Sequence, residues 1–146
     1  MATRTATAEW KGGLQDGDGS FEGESGAIGG RYSFTSRFTD AGEGGATNPE
    51  ELVAAAHAAC FSMQFSALLE AEGHTPESVG TEARVQILKD GDGFTVKKIT
   101  LTSVGRVPGV DDATFQDIGR QAMETCPISK ALGAVDTIEL EATLES

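Results

Sequence analysis

The 146 residues fall within the size of one domain, and a 38% hydrophobic share is enough to build a core. Eleven Lys and Arg against 23 Asp and Glu leave a net charge of −12, which repels phosphate backbones and anionic lipid surfaces and excludes nucleic acid as an expected partner. Two cysteines are too few for a disulfide scaffold, and no basic stretch with a following apolar run or sequence of eighteen apolar residues is present; the expectation is one cytoplasmic domain, 1–146, without a membrane span.

In chain order, Thr3 to Trp10 alternates polar and small residues, and Arg31 to Phe38 puts Tyr32, Phe34 and Phe38 on one side of an extended chain, so both read as strands. The glycines between them predict turns and a meander, and Asp40 to Thr47 reads as a loop. Asn48 then suits a helix cap, Pro49 the first helical position and Glu51 the acid of a capping box. Leu52, Ala56, Ala59, Met63 and Ala67 recur at spacings of three and four up to the stop at Gly73, which predicts a helix of about 24 residues and roughly 36 Å. Its alanines allow close approach of another backbone, and it is expected at the buried centre of the fold.

Ala83 to Leu88 and Phe94 to Val104 flank Asp90-Gly91-Asp92-Gly93 and predict a hairpin. A second helix is expected from Asp111 and Asp112, carrying Phe115, Ile118 and Ala122 and ending before Pro127, with one further turn over Ile128 to Leu132. Ile138, Leu140, Ala142 and Leu144 alternate in a last strand, completing an α+β domain.

Cys60 lies midway along the long helix, away from the N-terminal turn that lowers a thiol pKa, so reactivity would require a nearby cation. Arg37 and Arg31 are the candidates. The competing reading makes Cys60 a small buried hydrophobe among alanines.

Thr47-Asn48-Pro49-Glu50-Glu51-Leu52, then Ala54-Ala55-Ala56-His57-Ala58-Ala59-Cys60-Phe61-Ser62-Met63, resembles the signature of the OsmC/Ohr family, as does Cys126-Pro127-Ile128-Ser129. Ser36-Arg37-Phe38 and Val107-Pro108-Gly109 extend the resemblance over nearly the whole chain, and His57 with the placement of Arg37 favours the OsmC branch. The resemblance implies an OsmC-like fold, with antiparallel strands packed around a long central helix and a second helix, in an intertwined homodimer. It also implies a cofactor-free peroxidase acting on organic hydroperoxides in stress defence. Carried over by position, Cys60 is the peroxidatic cysteine and Cys126 the resolving one, and Arg37 and Glu50 form the activating pair. The reductant implied is a thiol, such as a dihydrolipoyl group on a carrier protein.

Ten helical residues separate Glu50 from Cys60 by about 15 Å, beyond the reach of a glutamate side chain. The sequence therefore suggests that Arg37 and Glu50 of one subunit serve Cys60 of the other. Phe38, Phe61, Met63 and Phe65 are candidates for an apolar substrate entrance, against ordinary core packing.

Other chemistries fit less well. His57, Cys60 and Cys126 offer three zinc ligands without a close ligand pair, and a Cys–His acyl-transfer pair would project side by side on one helix. The glycine loops lack a P-loop lysine, and Asp90 and Asp92 lack the glutamate of a calcium loop. The alternative of a different class is a non-catalytic stress or ligand-binding protein with inert buried cysteines, which would keep both thiols when one equivalent of alkyl hydroperoxide is added.

Overall fold

The computed structural model describes residues 1–39 and 42–145, together with all side chains among them except that of Glu43. It contains two compact units, Met1–Leu52 and Val53–Ser146.

The first unit is a four-stranded sheet in the order β1 (Ala6–Lys11), β2 (Asp18–Gly23), β3 (Gly29–Tyr32) and β4 (Ala46–Thr47). The first three form an antiparallel meander, and β4 pairs parallel to β3 through Arg31 with Ala46 and Tyr32 with Thr47. Gly19 is required where it stands, because a Cβ there would lie 2.4 Å from the Tyr32 ring on the neighbouring strand. The expected strand over Arg31 to Phe38 stops at Tyr32, and Thr35–Arg37 is instead a 3-10 turn. Ser36 makes that turn: its N–H donates to Ser33 Oγ and its hydroxyl to the Ser33 carbonyl, which closes the chain locally in place of a ladder. Phe34 and Phe38 consequently stack one turn apart, with centroids 5.2 Å apart, instead of alternating along a strand. Of the expected loop from Asp40 to Thr47, residues 40 and 41 lie outside the described residues.

Helix α1 runs continuously over Pro49–Ala71. Asn48 caps it, its Oδ1 accepting the Glu51 N–H at 2.9 Å, and Gly73 at φ +85° ends it, with the His74 N–H returning to the Leu69 carbonyl. Glu51 departs from the capping-box expectation by accepting the Thr47 hydroxyl.

In the second unit, β5 (Ser78–Asp90) and β6 (Gly93–Arg106) form the expected hairpin around Gly91 and Asp92. Helices α2 (Asp112–Thr125) and α3 (Pro127–Ala131) follow, and β7 (Thr137–Glu145) pairs with β6 in parallel. It joins the expected antiparallel pairs, as the parallel pairing of β4 with β3 does in the first unit. A parallel return needs a long crossover, and residues 107–136 supply it by carrying both short helices.

The core of this unit gathers Phe61, Phe65 and Leu69 from α1, Ile99 and Leu101 from β6, and Phe115, Ile118 and Ala122 from α2. Phe65 lies between Phe61 and Phe115, at centroid separations of 5.7 and 4.7 Å. On α1, expected at the buried centre of the fold, His57, Phe61, Phe65 and Leu69 are the buried residues, whereas Ala55, Ala56, Ala59, Met63 and Ala67 are exposed. The helix is apolar on every face, long and apolar enough to cross a bilayer by composition, and the core takes the face with the larger side chains.

Candidate active site

Cys126 stands at the joint of α2 and α3. Pro127 excludes the helical conformation for the residue before it, and Cys126 accordingly adopts φ −57° and ψ 122°, ending α2 while opening α3. The Cys126 N–H still closes the last turn of α2 on the Ala122 carbonyl, and its own carbonyl receives the Lys130 N–H. The side chain is fully buried and turned toward the first amides of α3.

Cys60, half-buried on α1, adjoins Cys126, and both thiols are free. Burial pushes the Cys60 thiol up; the Ile128 amide opposes this, while the adjoining Cys126 adds to it. Burial also works against an anion at Cys126, but there the Ser129 amide and hydroxyl, the Cys60 thiol and the Ile128 amide outweigh it, and the pKa falls below the ordinary thiol value. Of the two thiols Cys126 is therefore the more easily ionised, and Cys60 is not activated by its own surroundings.

Ser129 also contacts His57, whose Nε2 lies 2.7 Å from the Ser129 hydroxyl oxygen. Desolvation lowers the pKa of this imidazole and keeps it neutral. Its Nδ1 is buried and has no hydrogen-bond partner among the described residues. In the sequence His57 comes up for chemistry only as a zinc ligand or an acyl-transfer base, and Ser129 stands in the Cys126-Pro127-Ile128-Ser129 motif without a role of its own. No three His, Cys, Asp or Glu side chains among the described residues converge on a metal position.

Arg37 and Glu50 meet in the first unit. Arg37 Nε donates to one carboxylate oxygen at 3.0 Å and Nη2 to the other at 2.5 Å, giving a two-point contact between largely shielded side chains. Arg31, the other candidate cation, is committed to Asp18 on the exposed surface. The turn that carries Arg37 is tied to the start of α1, since Asn48 Nδ2 donates to the Ser36 carbonyl and the Ser36 hydroxyl to that of Thr47. Trp10, Leu14, Tyr32, Ser33, Phe34 and Pro49 surround Arg37 in a largely apolar cavity of about 160 Å³. The sequence offered other residues for an apolar entrance. Phe61 and Phe65 prove to be core, and Met63 points away from that core into solvent.

The profile of the OsmC-like protein family matches residues 42–141. The chain is 44% identical over 135 residues to "Peroxiredoxin OsmC" of Escherichia coli (strain K12), covering 92% of each sequence. Among solved structures, the organic hydroperoxide resistance protein OhrB of Bacillus subtilis superposes with a TM-score of 0.67 at 27% identity, over 97% of this chain and 98% of that one. An OsmC-like protein from Mycoplasma pneumoniae shares the fold with a TM-score of 0.78 at 15% identity, over 99% of both. With its family profile, its extended sequence identity and this fold in agreement, the chain belongs to the OsmC-like protein family.

Proposed function

We propose that the protein is a thiol peroxidase that reduces organic hydroperoxides to alcohols, with Cys60 as the attacking cysteine and Cys126 as the resolving one. The observation that carries this reading is the adjoining pair of free thiols, Cys60 and Cys126, in a chain 44% identical to a protein named peroxiredoxin. The Cys60 thiolate attacks the terminal peroxide oxygen; the S–O bond forms, the O–O bond breaks, and the alkoxide leaves and takes a proton to become the alcohol. Sulfur is oxidised to sulfenic acid. Cys126 then displaces hydroxide from that sulfur, forming the disulfide and, after protonation, water. An external dithiol, such as a dihydrolipoyl group on a carrier protein, restores both thiols by exchange.

Cys60 needs a cation for the first step, because burial raises its thiol pKa. Arg37 fills this role in our reading, with Glu50 holding the guanidinium by both carboxylate oxygens. The apolar cavity around Arg37 suits an alkyl chain better than hydrogen peroxide. The pair acts across a homodimer in which the exposed Ala55, Ala56, Ala59, Met63 and Ala67 face of α1 packs on a second copy. A cytoplasmic, thiol-reducing setting fits the cycle.

The test compares wild type, Cys60→Ser and Cys126→Ser with cumene hydroperoxide. Cys60→Ser should consume no peroxide, whereas Cys126→Ser should consume its first equivalent and then accumulate a sulfenic acid that dimedone traps. Equal loss of the first turnover in both variants rejects the division of roles.

A further inference from the structure

We propose that His57 and Ser129 form a proton relay that takes the thiol proton of Cys126 for its attack on the Cys60 sulfenic acid. The inference rests on the peroxidase reading above and adds the group that serves the resolving step.

The three groups follow one another from imidazole to hydroxyl to sulfur. His57 Nε2 is 2.7 Å from Ser129 Oγ, and the Ser129 hydroxyl favours the Cys126 anion at the start of α3. The elements hold that order without reference to solvent: His57 is on the core face of α1, Ser129 is buried on α3, and Cys126 is fully buried where α2 ends. A buried thiol that must ionise needs a proton acceptor within the protein, and His57 is the buried group placed to be one. A histidine kept only for packing would be expected to satisfy both ring nitrogens, yet Nδ1 has no partner among the described residues. Burial keeps the ring neutral, which leaves it one basic nitrogen, and the tautomer protonated at Nδ1 presents that nitrogen at Nε2.

The step balances. The Cys126 proton passes to Ser129 Oγ as the Ser129 hydroxyl proton passes to His57 Nε2, leaving thiolate and imidazolium. The thiolate forms the S–S bond to Cys60 as its S–O bond breaks, and the departing hydroxide carries that electron pair. One proton then returns to hydroxide, giving water and neutral imidazole. The alkyl hydroperoxide consumed in the first step is the only oxidant. Ser129 contacts the reacting sulfur, and His57 acts through it.

The two half-reactions are read separately in His57→Gln and Ser129→Ala, with cumene hydroperoxide as the oxidant: peroxide consumed in the first turnover, and then loss of the second thiol. Glutamine can keep a hydrogen bond to Ser129 but cannot accept a proton. The relay requires both variants still to consume the first equivalent of peroxide and then to form the disulfide at least about tenfold more slowly, with dimedone-reactive sulfenic acid building up. Disulfide formation at the wild-type rate in His57→Gln overturns the relay. If that variant fails to fold, a wild-type disulfide rate in Ser129→Ala does the same. A wild-type protein that consumes no peroxide rejects the peroxidase reading itself, and the relay with it.

Discussion

The Cys60 thiol adjoins Cys126, and the two are driven in opposite directions: burial and its partner push Cys60 up, whereas the amides and hydroxyl at the start of α3 bring Cys126 down despite its own burial. Replacing Cys126 with Ala removes the neighbour that raises the Cys60 pKa and leaves the Ile128 amide in place. The Cys60 pKa should therefore fall relative to wild type while staying above the ordinary thiol value, because its desolvation persists. Ultraviolet thiolate absorbance followed through a pH titration measures this, and an unchanged or higher Cys60 pKa in the variant contradicts the ordering of charge.

His57 predicts a dependence of stability on pH. Its burial lowers the folded pKa below that of a free histidine, about 6.5. Below that pH the unfolded chain takes up a proton that the folded chain resists, so stability is fully present above about pH 6.5 and is lost as the pH falls toward the folded value. Glutamine does not titrate, so the stability gap between wild type and His57→Gln should narrow on going from about pH 7.5 to pH 5. Urea unfolding across that range would show it, and a gap that widens in acid would mean that the imidazole is charged in the fold.

Much of this fold was legible because local chemistry decides it. Asn48, Pro49 and Gly73 mark α1, and Pro127 ends α2 at Cys126, without help from the rest of the chain. The failures came where packing chooses among equals. On α1 the alanine and Met63 stripe has the same helical spacing as the Phe61, Phe65 and Leu69 face, and only the partner surface selects which one is buried. The alternation of Tyr32, Phe34 and Phe38 fits a strand, yet Ser33 and Ser36 close a turn there through their side chains. The site was read through motif resemblance, whereas the contact of Ser129 with His57 and the cavity at Trp10 and Leu14 depend on tertiary approach and left no spacing to find.

Subunits that share a site make a distinctive prediction for mixed dimers. Glu50 and Cys60 are separated by ten residues of the unbroken helix α1, a rise of about 15 Å. If Arg37 and Glu50 serve the partner's cysteine, a dimer of one Cys60→Ala and one Glu50→Ala subunit retains one intact site and about half of wild-type activity, although each homodimer is impaired. Activity of the mixed dimer no higher than that of the homodimers places the pair with its own cysteine.

The uncovered face of α1 can be tested at one residue. Met63 is 74% exposed and is flanked one turn away by the exposed Ala59 and Ala67, so a carboxylate there costs little in a monomer. Between two copies it would bury a charge against an apolar helix. Met63→Glu should therefore shift the protein from dimer to monomer in light scattering with little change in its far-ultraviolet circular dichroism. A variant that remains dimeric assigns the subunit contact to another surface.

Gly105 on β6 is held to glycine by the ring of Phe115 on α2. A Cβ at Gly105 would lie 2.5 Å from Phe115 Cε2 and 2.6 Å from Cζ, closer than carbon atoms pack. Phe115 is fully buried and stacked on Phe65, so it cannot retreat without disturbing the α1 side of the core. Gly105→Ala should accordingly cost about 1–3 kcal/mol, an overpacking penalty that outweighs the entropic gain of replacing glycine in a strand. Adding Phe115→Leu should return part of that loss, because the smaller side chain opens the space the new methyl group needs. Urea midpoints of the two single variants and the double variant form a cycle, and strictly additive effects would mean that Phe115 is not what confines this position.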